Sequence, residues 1–288
     1  MSGPQRSAGH TARFLVTGAG GMLGRDLLAV LADHDVTAAT RAELDITDTA
    51  KVSDLVDGHD VVINAAAWTD VDGAEADEAA ATAVNGTGVE VLAQACAATG
   101  ARLIHVSTDY VFPGDATEPY AEDAPTDPIN AYGRSKLAGE RAALRHGGHV
   151  VRTAWLYGET GRNFVTTMLR LAGEREFVEV VDDQLGQPTW SRDLAERLVQ
   201  LALADAPAGV YHGTASGQVT WFGLAQAVFA EAGHDPARVR PTTSAAYARP
   251  AKRPAYSVLG HSRWAAAGLA PMRQWRAMLH DMVPGVVR

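Results

Sequence analysis

Tyr132 and Lys136 stand four residues apart in a segment typical of a helix, and they form the pattern Tyr-x-x-x-Lys. Residues at this spacing lie on one face of a helix, so the phenol and the ammonium are expected to be neighbours. A nearby positive charge stabilises a phenolate, and we therefore expect the pKa of Tyr132 to fall. Such a phenol can give its proton to an oxygen that gains negative charge, as the reduction of a ketone requires. The same spacing also occurs in surface pairs without a function, so the surrounding elements must indicate whether this pair is catalytic.

Thr108 is the candidate partner of this tyrosine. It follows residues 102–107 (RLIHVS), in which Leu103, Ile104 and Val106 predict a strand. A hydroxyl at the carboxyl end of a parallel strand points toward the crevice in which ligands of open α/β sheets bind. We expect Thr108 to hydrogen-bond both a substrate carbonyl and the hydroxyl of Tyr132. The neighbouring Ser107 is assigned only to capping the strand end.

Three glycines, Gly18, Gly21 and Gly24, have the spacing G-x-x-G-x-x-G between a predicted strand at 13–17 and a predicted helix at 22–31. Glycine permits the tight turn and lets backbone N–H groups approach a pyrophosphate, while the helix N-terminus adds a partial positive charge. In this strand–turn–helix context the motif predicts dinucleotide binding. The alternative is a glycine-rich turn that binds nothing.

The end of the second predicted strand indicates which dinucleotide is bound. An NAD-preferring site places a carboxylate there to bind the ribose 2′-hydroxyl. This chain has Ala38, Ala39, Thr40 and Arg41 instead, and the guanidinium of Arg41 can pair with a 2′-phosphate. The stretch therefore favours NADPH, with NADH as the alternative if Arg41 is only a solvated loop cation.

The elements that position these residues alternate between strand and helix in the first half of the chain. Such alternation predicts right-handed βαβ units and an α/β fold with a Rossmann-like, doubly wound parallel sheet. The strands are predicted at 13–17, 35–40, 60–64, 102–107 and 149–153, and the helices at 22–31, 78–99 (with a possible interruption at Gly86 and Gly88) and 132–145.

The second half has a looser pattern, which predicts a smaller C-terminal lobe against the carboxyl edge of the sheet. We expect a disordered leader at 1–12, an NAD(P)-binding domain at 13–155 to which later segments return, and a mainly substrate-binding lobe at 156–288. Helices are predicted at 164–171, 191–203, 220–232 and 274–282, strands at 177–181 and 210–212, and a loop at 238–257.

Composition limits the classes of partner. The 288-residue chain has a formal net charge of -9, which disfavours nucleic acid and anionic membrane surfaces, and no apolar run approaches the ~20 residues of a membrane helix. The single cysteine, Cys96, excludes an intramolecular disulfide and fits a cytoplasmic location. Asp182 and Asp183 have no His or third acid in sequence reach, so no metal site is predicted. Assembly into a homodimer is left open.

Taken together, these motifs resemble the extended short-chain dehydrogenase/reductase family over nearly the whole chain. Within that family, four segments are similar to the dTDP-4-dehydrorhamnose reductases. They are residues 64–72 (NAAAWTDVD), 107–112 (STDYVF), 152–158 (RTAWLYG) and 183–189 (DQLGQPT).

The resemblance implies roles for individual residues. Tyr132 would be the acid, Lys136 would bind the nicotinamide ribose and tune Tyr132, and Thr108 would orient the ketone. Asp109 and Trp155 would contact the sugar or its nucleotide. Further implied roles are pyrophosphate contacts for Gly21, Met22 and Leu23, adenine contacts for Asp45 and Ile46, contacts to the cofactor for Ala65, Ala66 and Ala67, and a helix-bending role for Asn85.

The activity that the resemblance implies is NADPH-dependent reduction of the C4 ketone of a dTDP-4-keto-6-deoxysugar, from dTDP-4-dehydrorhamnose to dTDP-L-rhamnose. One alternative is a 4-ketoreductase that acts on another dTDP-deoxysugar of secondary metabolism. A 4,6-dehydratase or epimerase is disfavoured, because Tyr110 stands where the family's dehydratases carry the glutamate for elimination. The remaining alternative is a non-catalytic regulatory subunit that resembles the methionine adenosyltransferase beta subunit.

Overall fold

A six-stranded parallel sheet forms the centre of the computed structural model, which describes residues 12–287. The leader predicted at 1–12 therefore lies outside the described residues apart from Ala12. The strand order is β10-β5-β4-β3-β1-β2, and every neighbouring pair is parallel. The strands are β1 (Arg13–Thr17), β2 (Asp35–Ala39), β3 (Val61–Asn64), β4 (Arg102–Thr108), β5 (His149–Thr153), β6 (Leu156–Tyr157), β7 (Val178–Val181), β8 (Leu185–Gly186), β9 (Thr189–Trp190), β10 (Gly209–His212), β11 (Val219–Thr220) and β12 (Val239–Thr242).

Helices connect these strands and cover both faces of the sheet. They are α1 (Met22–Val30), α2 (Thr49–Val56), α3 (Val71–Ala76), α4 (Glu78–Thr82), α5 (Gly88–Thr99), α6 (Ala131–Arg145), α7 (Phe164–Glu174), α8 (Ser191–Leu203), α9 (Trp221–Glu231), α10 (Arg263–Ala266) and α11 (Trp275–Val286). The helices predicted at 22–31, 132–145 and 191–203 are confirmed to within one residue at each end.

The strands divide the hydrophobic core into two layers because successive side chains point to opposite faces. Phe14 and Val16 pack with α1 and α8 on one face, whereas Leu15 packs with α2 and α5 on the other. Ile63 and Val62 of β3 are split in the same way. Burial on both faces explains why the strands are continuous apolar runs, and the predicted α/β fold with a doubly wound parallel sheet is confirmed.

The predicted helix at 78–99 is interrupted, as its two glycines suggested. It consists of α4, a π-helical turn at Ala83–Thr87 and α5. Gly88 begins α5 at a point where a Cβ atom would lie only 2.7 Å from Ile46, so a larger residue would push the helix away from the loop after β2. The turn also brings Asn85 into the protein interior, where it is fully buried.

The C-terminal half forms a lobe of three two-stranded sheets, β6 with β9, β7 with β12, and β8 with β11, packed with α7, α9 and α11. The loop predicted at 238–257 is wrong for residues 239–242, because β12 pairs in parallel with β7. The strand was not predicted from the sequence because it contains a proline, Pro241. Proline is tolerated on a strand with a partner on one side only, and β12 has β7 as its neighbour in this sheet.

Candidate active site

A cavity of about 940 Å³ opens at the carboxyl ends of the central strands, the position at which open α/β sheets bind ligands. The structure brings every site residue predicted from the sequence to the wall of this one cavity. They are Gly18, Gly21, Met22, Leu23, Gly24, Arg41, Asp45, Ile46, Ala65, Ala66, Ala67, Thr108, Asp109, Tyr132, Lys136 and Trp155.

The glycine turn can approach its neighbours only because it lacks side chains. Gly18 has a φ of 69°, and a Cβ atom there would lie 2.6 Å from the carbonyl carbon of Ala65 at the end of β3. A Cβ atom on Gly24 would lie 2.3 Å from the carbonyl oxygen of Gly18. Gly21 caps α1 without a side chain, and the first turn has no acidic residue. The N–H groups of this turn are therefore suited to an anion in the cavity.

The loop after β2 forms the other end of the cavity. Arg41 is exposed there, and Ile46 is buried. The carboxylate of Asp45 accepts hydrogen bonds from the backbone N and the Oγ1 of Thr47, at 2.9 and 2.7 Å, and these bonds lower its pKa. The loop thus offers one cation and an apolar surface side by side.

Tyr132 is placed by the first turn of α6. The side chain of Asn130 caps the helix by accepting from the backbone N of Gly133 at 2.8 Å. A Cβ atom on Gly133 would lie 2.1 Å from the carbonyl oxygen of Tyr110, so glycine lets the helix start directly against the turn after β4. The rings of Tyr132 and Tyr110 consequently meet edge to face, with centroids 5.8 Å apart.

The expected fall in the pKa of Tyr132 is wrong for this structure. Burial raises the pKa of Tyr132, the negative charge of Asp109 adds to the rise, and a hydrogen bond with Thr108 only partly opposes it. The ammonium of Lys136, which was expected to lower this pKa, is not among the causes of the shift, and its Nζ donates to the carbonyl oxygen of Val106 at 2.7 Å. Tyr132 is therefore a protonated phenol at neutral pH, which is the form that an acid needs.

The groups around the phenol are also shifted by burial. Burial lowers the pKa of Lys136 to about 8, and the negative charge of Glu140 opposes this fall. Burial also raises the pKa of Asp109 to about 6. Thr108 donates from Oγ1 to Oδ1 of Asp109 at 2.9 Å and accepts from the backbone N of Tyr110 at 3.2 Å. These bonds fix the hydroxyl of Thr108 beside Tyr132.

Asn85 connects three parts of the site. Its Oδ1 accepts from the backbone N of Trp68 at 2.8 Å, and its Nδ2 donates to the carbonyl oxygen of Trp68 at 3.0 Å and to Oγ of Ser135 at 2.9 Å. Ser135 in turn donates to the carbonyl oxygen of Tyr132 at 2.7 Å. The π-helical turn, the loop after β3 and the first turn of α6 are thereby held in one arrangement.

Sequence reasoning missed several residues of the cavity wall, among them Trp221 and Arg162. Trp221 is the first residue of α9, and its ring stacks on that of Trp155 with centroids 3.6 Å apart. Trp155 has a φ of 47°, an uncommon conformation for a residue with a side chain. Arg162 is exposed just before the capping box of Asn163. The capping pattern was the one local signal, and it predicts a helix start but no ligand.

A second cavity of about 760 Å³ adjoins the first, and Tyr110 and Trp221 line both. Three cationic residues of the loop after β12, Arg249, Lys252 and Arg253, line this second cavity. Glu179 is the carboxylate of this lining, so the lining side chains carry a net positive charge that suits an anionic group attached to a molecule in the first cavity.

Asp72 fastens this cationic loop to α3. Its Oδ1 and Oδ2 accept from the two terminal nitrogens of Arg253 at 2.6 and 2.9 Å, and its Oδ1 also accepts from the backbone N of Ala251 at 3.2 Å. Bidentate pairs of this kind fix geometry as well as charge. The loop is thus held beside the loop after β3.

The described part of the chain, residues 12–287, has no group of three or more His, Cys, Asp or Glu side chains placed to hold a metal ion. None of its helices combines the length and the apolar composition needed to cross a membrane.

Comparison with known proteins places these features in a family. Residues 12–287 match the family model described as RmlD substrate binding domain. A dTDP-4-dehydrorhamnose reductase from Streptomyces griseus is 56% identical, covering 95% of this chain and 94% of that protein. The dTDP-4-keto-6-deoxy-D-glucose reductase from Streptomyces niveus is 52% identical over 95% and 97% of the two chains. A crystal structure of dTDP-4-dehydrorhamnose reductase from Bacillus anthracis, in complex with NADP, superimposes with a TM-score of 0.89 at 36% identity over 95% and 99%.

Proposed function

The chain belongs to the family of the RmlD substrate binding domain, and we propose that it catalyses the NADPH-dependent reduction of the C4 ketone of a dTDP-4-keto-6-deoxysugar. The substrate is dTDP-4-dehydrorhamnose and the product dTDP-L-rhamnose. The observation that carries the proposal is the shared cavity of Tyr132, Thr108 and Lys136 with the glycine turn before α1. This cavity combines a proton donor, a carbonyl-orienting hydroxyl and a cofactor site.

The cavity fits NADPH by its own features. The uncapped N-terminus of α1 and the close approach of Gly18 to Ala65 suit a pyrophosphate. Arg41 suits the 2′-phosphate, and Lys136 suits the hydroxyls of the nicotinamide ribose. Bound there, NADPH supplies the hydride that reduces the ketone.

The side chains of the chain itself supply the proton. Thr108 orients the carbonyl oxygen and the hydroxyl of Tyr132 toward each other. Because burial raises the pKa of Tyr132, its phenol keeps its proton until negative charge develops on the substrate oxygen. Tyr132 then gives that proton to the oxygen and produces an alcohol. General acid catalysis of this kind contributes about 10²- to 10⁴-fold in rate.

The second cavity suits the nucleotide part of the substrate. A dTDP-sugar carries two phosphates, and Arg249, Lys252 and Arg253 supply positive charge in a protein whose net charge is -9. Tyr110 and Trp221 border both cavities, so a sugar in the first cavity can continue into the second. The cytoplasmic location and the homodimer stay predictions.

A second candidate substrate is favoured by the Streptomyces niveus relative, which is named for the reduction of dTDP-4-keto-6-deoxy-D-glucose. This sugar presents the same ketone at C4, and Tyr132 and Thr108 would act on it in the same way. A dehydratase is disfavoured, since Tyr110 lines the cavity at the position where elimination needs an acid or base that ionises near neutral pH. Burial raises the pKa of Tyr110 and keeps it neutral.

The test is NADPH oxidation, followed by absorbance, with each 4-keto sugar supplied in turn. We expect the wild type to oxidise NADPH and Tyr132→Phe to lose roughly 10²-fold or more of kcat, with its affinity for NADPH nearly unchanged. Tyr157→Phe is the matched control. Tyr157 is a buried tyrosine whose hydroxyl has no hydrogen-bond partner within the described part of the chain, and it does not line the cavity.

Two outcomes contradict the proposal. If the wild type binds NADPH but oxidises none with either sugar, the reductase function fails and the regulatory-subunit alternative becomes the one to test. If Tyr132→Phe retains the wild-type rate, the acid is another group.

A further inference from the structure

Glu140 is a buried carboxylate that the pattern Tyr-x-x-x-Lys does not include. It lies four residues after Lys136 on α6, so the two side chains share one face of the helix. Both are buried, with 1% and 2% of their surface exposed. An unpaired charge at such depth would cost several kcal/mol, so a buried carboxylate of this kind requires partners.

Glu140 and Lys136 meet the same piece of β4. The Nζ of Lys136 donates to the carbonyl oxygen of Val106 at 2.7 Å, and the Oγ of the next residue, Ser107, donates to Oε1 of Glu140 at 2.6 Å. An ammonium and a carboxylate therefore contact consecutive residues of one strand. The serine that sequence reasoning assigned to strand capping holds the carboxylate in place.

Arg152 of β5 fixes the carboxylate from the other side. Its Nε donates to Oε1 of Glu140 at 2.9 Å, and its Nη2 donates to Oε2 at 2.8 Å. The guanidinium is held in turn by the carbonyl oxygen of Glu122, which accepts from Nη1 at 3.2 Å. The carboxylate of Glu140 is thus held in a rigid position between Ser107 and Arg152.

The other titratable or charged groups packed around Lys136 come from several elements. His105 of β4 is affected by the charge of Lys136. Asp109 and Tyr132 share the cavity wall with Lys136, and Arg152 of β5 pairs with Glu140. The carboxylates of the neighbouring helices have other partners on α6: Glu90 of α5 pairs with Arg145 and His146, Glu78 of α4 pairs with Arg134, and Glu75 of α3 accepts from the backbone N of Ala131. His105 is neutral, because burial and the charge of Lys136 hold its pKa well below its ordinary value. Burial lowers the pKa of Lys136 to about 8, and the charge of Glu140 opposes that fall.

We propose that Glu140 is a positioning residue for Lys136, whose buried carboxylate keeps the lysine charged and directed toward the cofactor ribose. The role of Lys136 rests on the proposed function. The competing interpretation is that the pair of Glu140 with Arg152 only fastens α6 to β5. The two interpretations differ in one measurable respect. If the pair only joins α6 to β5, loss of the carboxylate leaves the pKa of Lys136 unchanged.

The experiment is a titration of NADPH binding by fluorescence across neutral and alkaline pH, without substrate. Wild-type affinity is expected to fall as pH rises through about 8, where Lys136 loses its proton. Glu140→Gln removes the neighbouring negative charge, so the midpoint of this fall should move down by about one pH unit. In Lys136→Met the alkaline fall should disappear.

Arg152→Lys is the matched control. It breaks the same bidentate bond but retains both charges, because lysine cannot reproduce the planar fork of arginine. We expect it to lower the free energy of unfolding, as Glu140→Gln does, and to leave the midpoint in place. If Glu140→Gln does not fold, the double variant Glu140→Gln/Arg152→Gln removes the pair without leaving a buried unpaired charge. A smaller downward shift is expected there, because loss of the positive charge of Arg152 raises the pKa of Lys136 and partly offsets the loss of the carboxylate.

Three results overturn the proposal. They are a wild-type affinity that does not fall at alkaline pH, an unchanged midpoint in the variants that lack the carboxylate, and an equal shift in Arg152→Lys. Because binding is measured without turnover, failure of this inference is distinct from failure of the reductase function, which NADPH oxidation tests separately.

Discussion

Replacing Asn85 with alanine tests whether the π-helical turn holds the site together. The substitution removes two bonds to the backbone of Trp68 and one to Ser135. The backbone N and carbonyl oxygen of Trp68 and the hydroxyl of Ser135 would then lose partners in a region where Asn85 itself is fully buried.

The size of the effect follows from those three bonds. An intramolecular hydrogen bond contributes about 1 kcal/mol net, and a buried group left without a partner costs about 1–3 kcal/mol. We expect Asn85→Ala to lower the free energy of unfolding by about 3 kcal/mol. The affinity for NADPH should also fall, since the loop after β3 and α6 would no longer share a fixed partner.

Equilibrium urea unfolding, followed by tryptophan fluorescence, measures the first effect. Gln94→Ala is the control on α5, because Gln94 is exposed and its amide makes one side-chain hydrogen bond, to the half-buried carboxylate of Glu90. Exposed changes of this kind stay within about 0.5 kcal/mol. A loss of less than about 1 kcal/mol in Asn85→Ala would refute the reasoning, because the three bonds together would then contribute less than a single hydrogen bond is expected to.

Two further predictions concern the cofactor half of the cavity. Arg41→Ala should weaken NADPH binding roughly tenfold, because a charge-assisted contact to the 2′-phosphate is lost. NADH has no such phosphate, so its binding should be unchanged. Equal weakening of both cofactors in a fluorescence titration would contradict this prediction. Gly18→Ala places a methyl group 2.6 Å from Ala65 at a positive φ, and it should lower the unfolding free energy by about 2 kcal/mol or more. Gly173→Ala, where nothing lies within 4 Å of the added atom, is the matched control for thermal unfolding, and a Gly18→Ala protein as stable as that control would contradict the reasoning.

The site residues that the sequence predicted belong to motifs whose residue spacing is defined within a single turn or helix. The glycines at 18, 21 and 24 and the pair Tyr132 and Lys136 are each defined by a few residues of one turn or helix. Because parallel strands end at one edge of a sheet, Thr108 could be assigned to the same cavity from strand order alone. The structure places all of these residues in one cavity, whereas their individual roles stay predictions.

The parts that could not be predicted depend on contacts between distant segments. The sign of the pKa shift of Tyr132 is set by burial and by Asp109, and neither is visible in the spacing of Tyr132 and Lys136. Trp221 reaches the cavity by stacking on Trp155, 66 positions earlier in the chain. No local pattern encodes such a contact.

Trp221 has a thermodynamic consequence beyond its place in the wall. Its ring borders both cavities, and so does that of Tyr110. A molecule in one cavity that shifts the Trp221 ring must change the free energy of binding in the other. By linkage the effect is reciprocal, so each ligand alters the affinity of its companion by the same factor. We therefore expect the stacked tryptophans to couple binding in the two cavities, and a pair of titrations, each with the other ligand present or absent, measures that coupling.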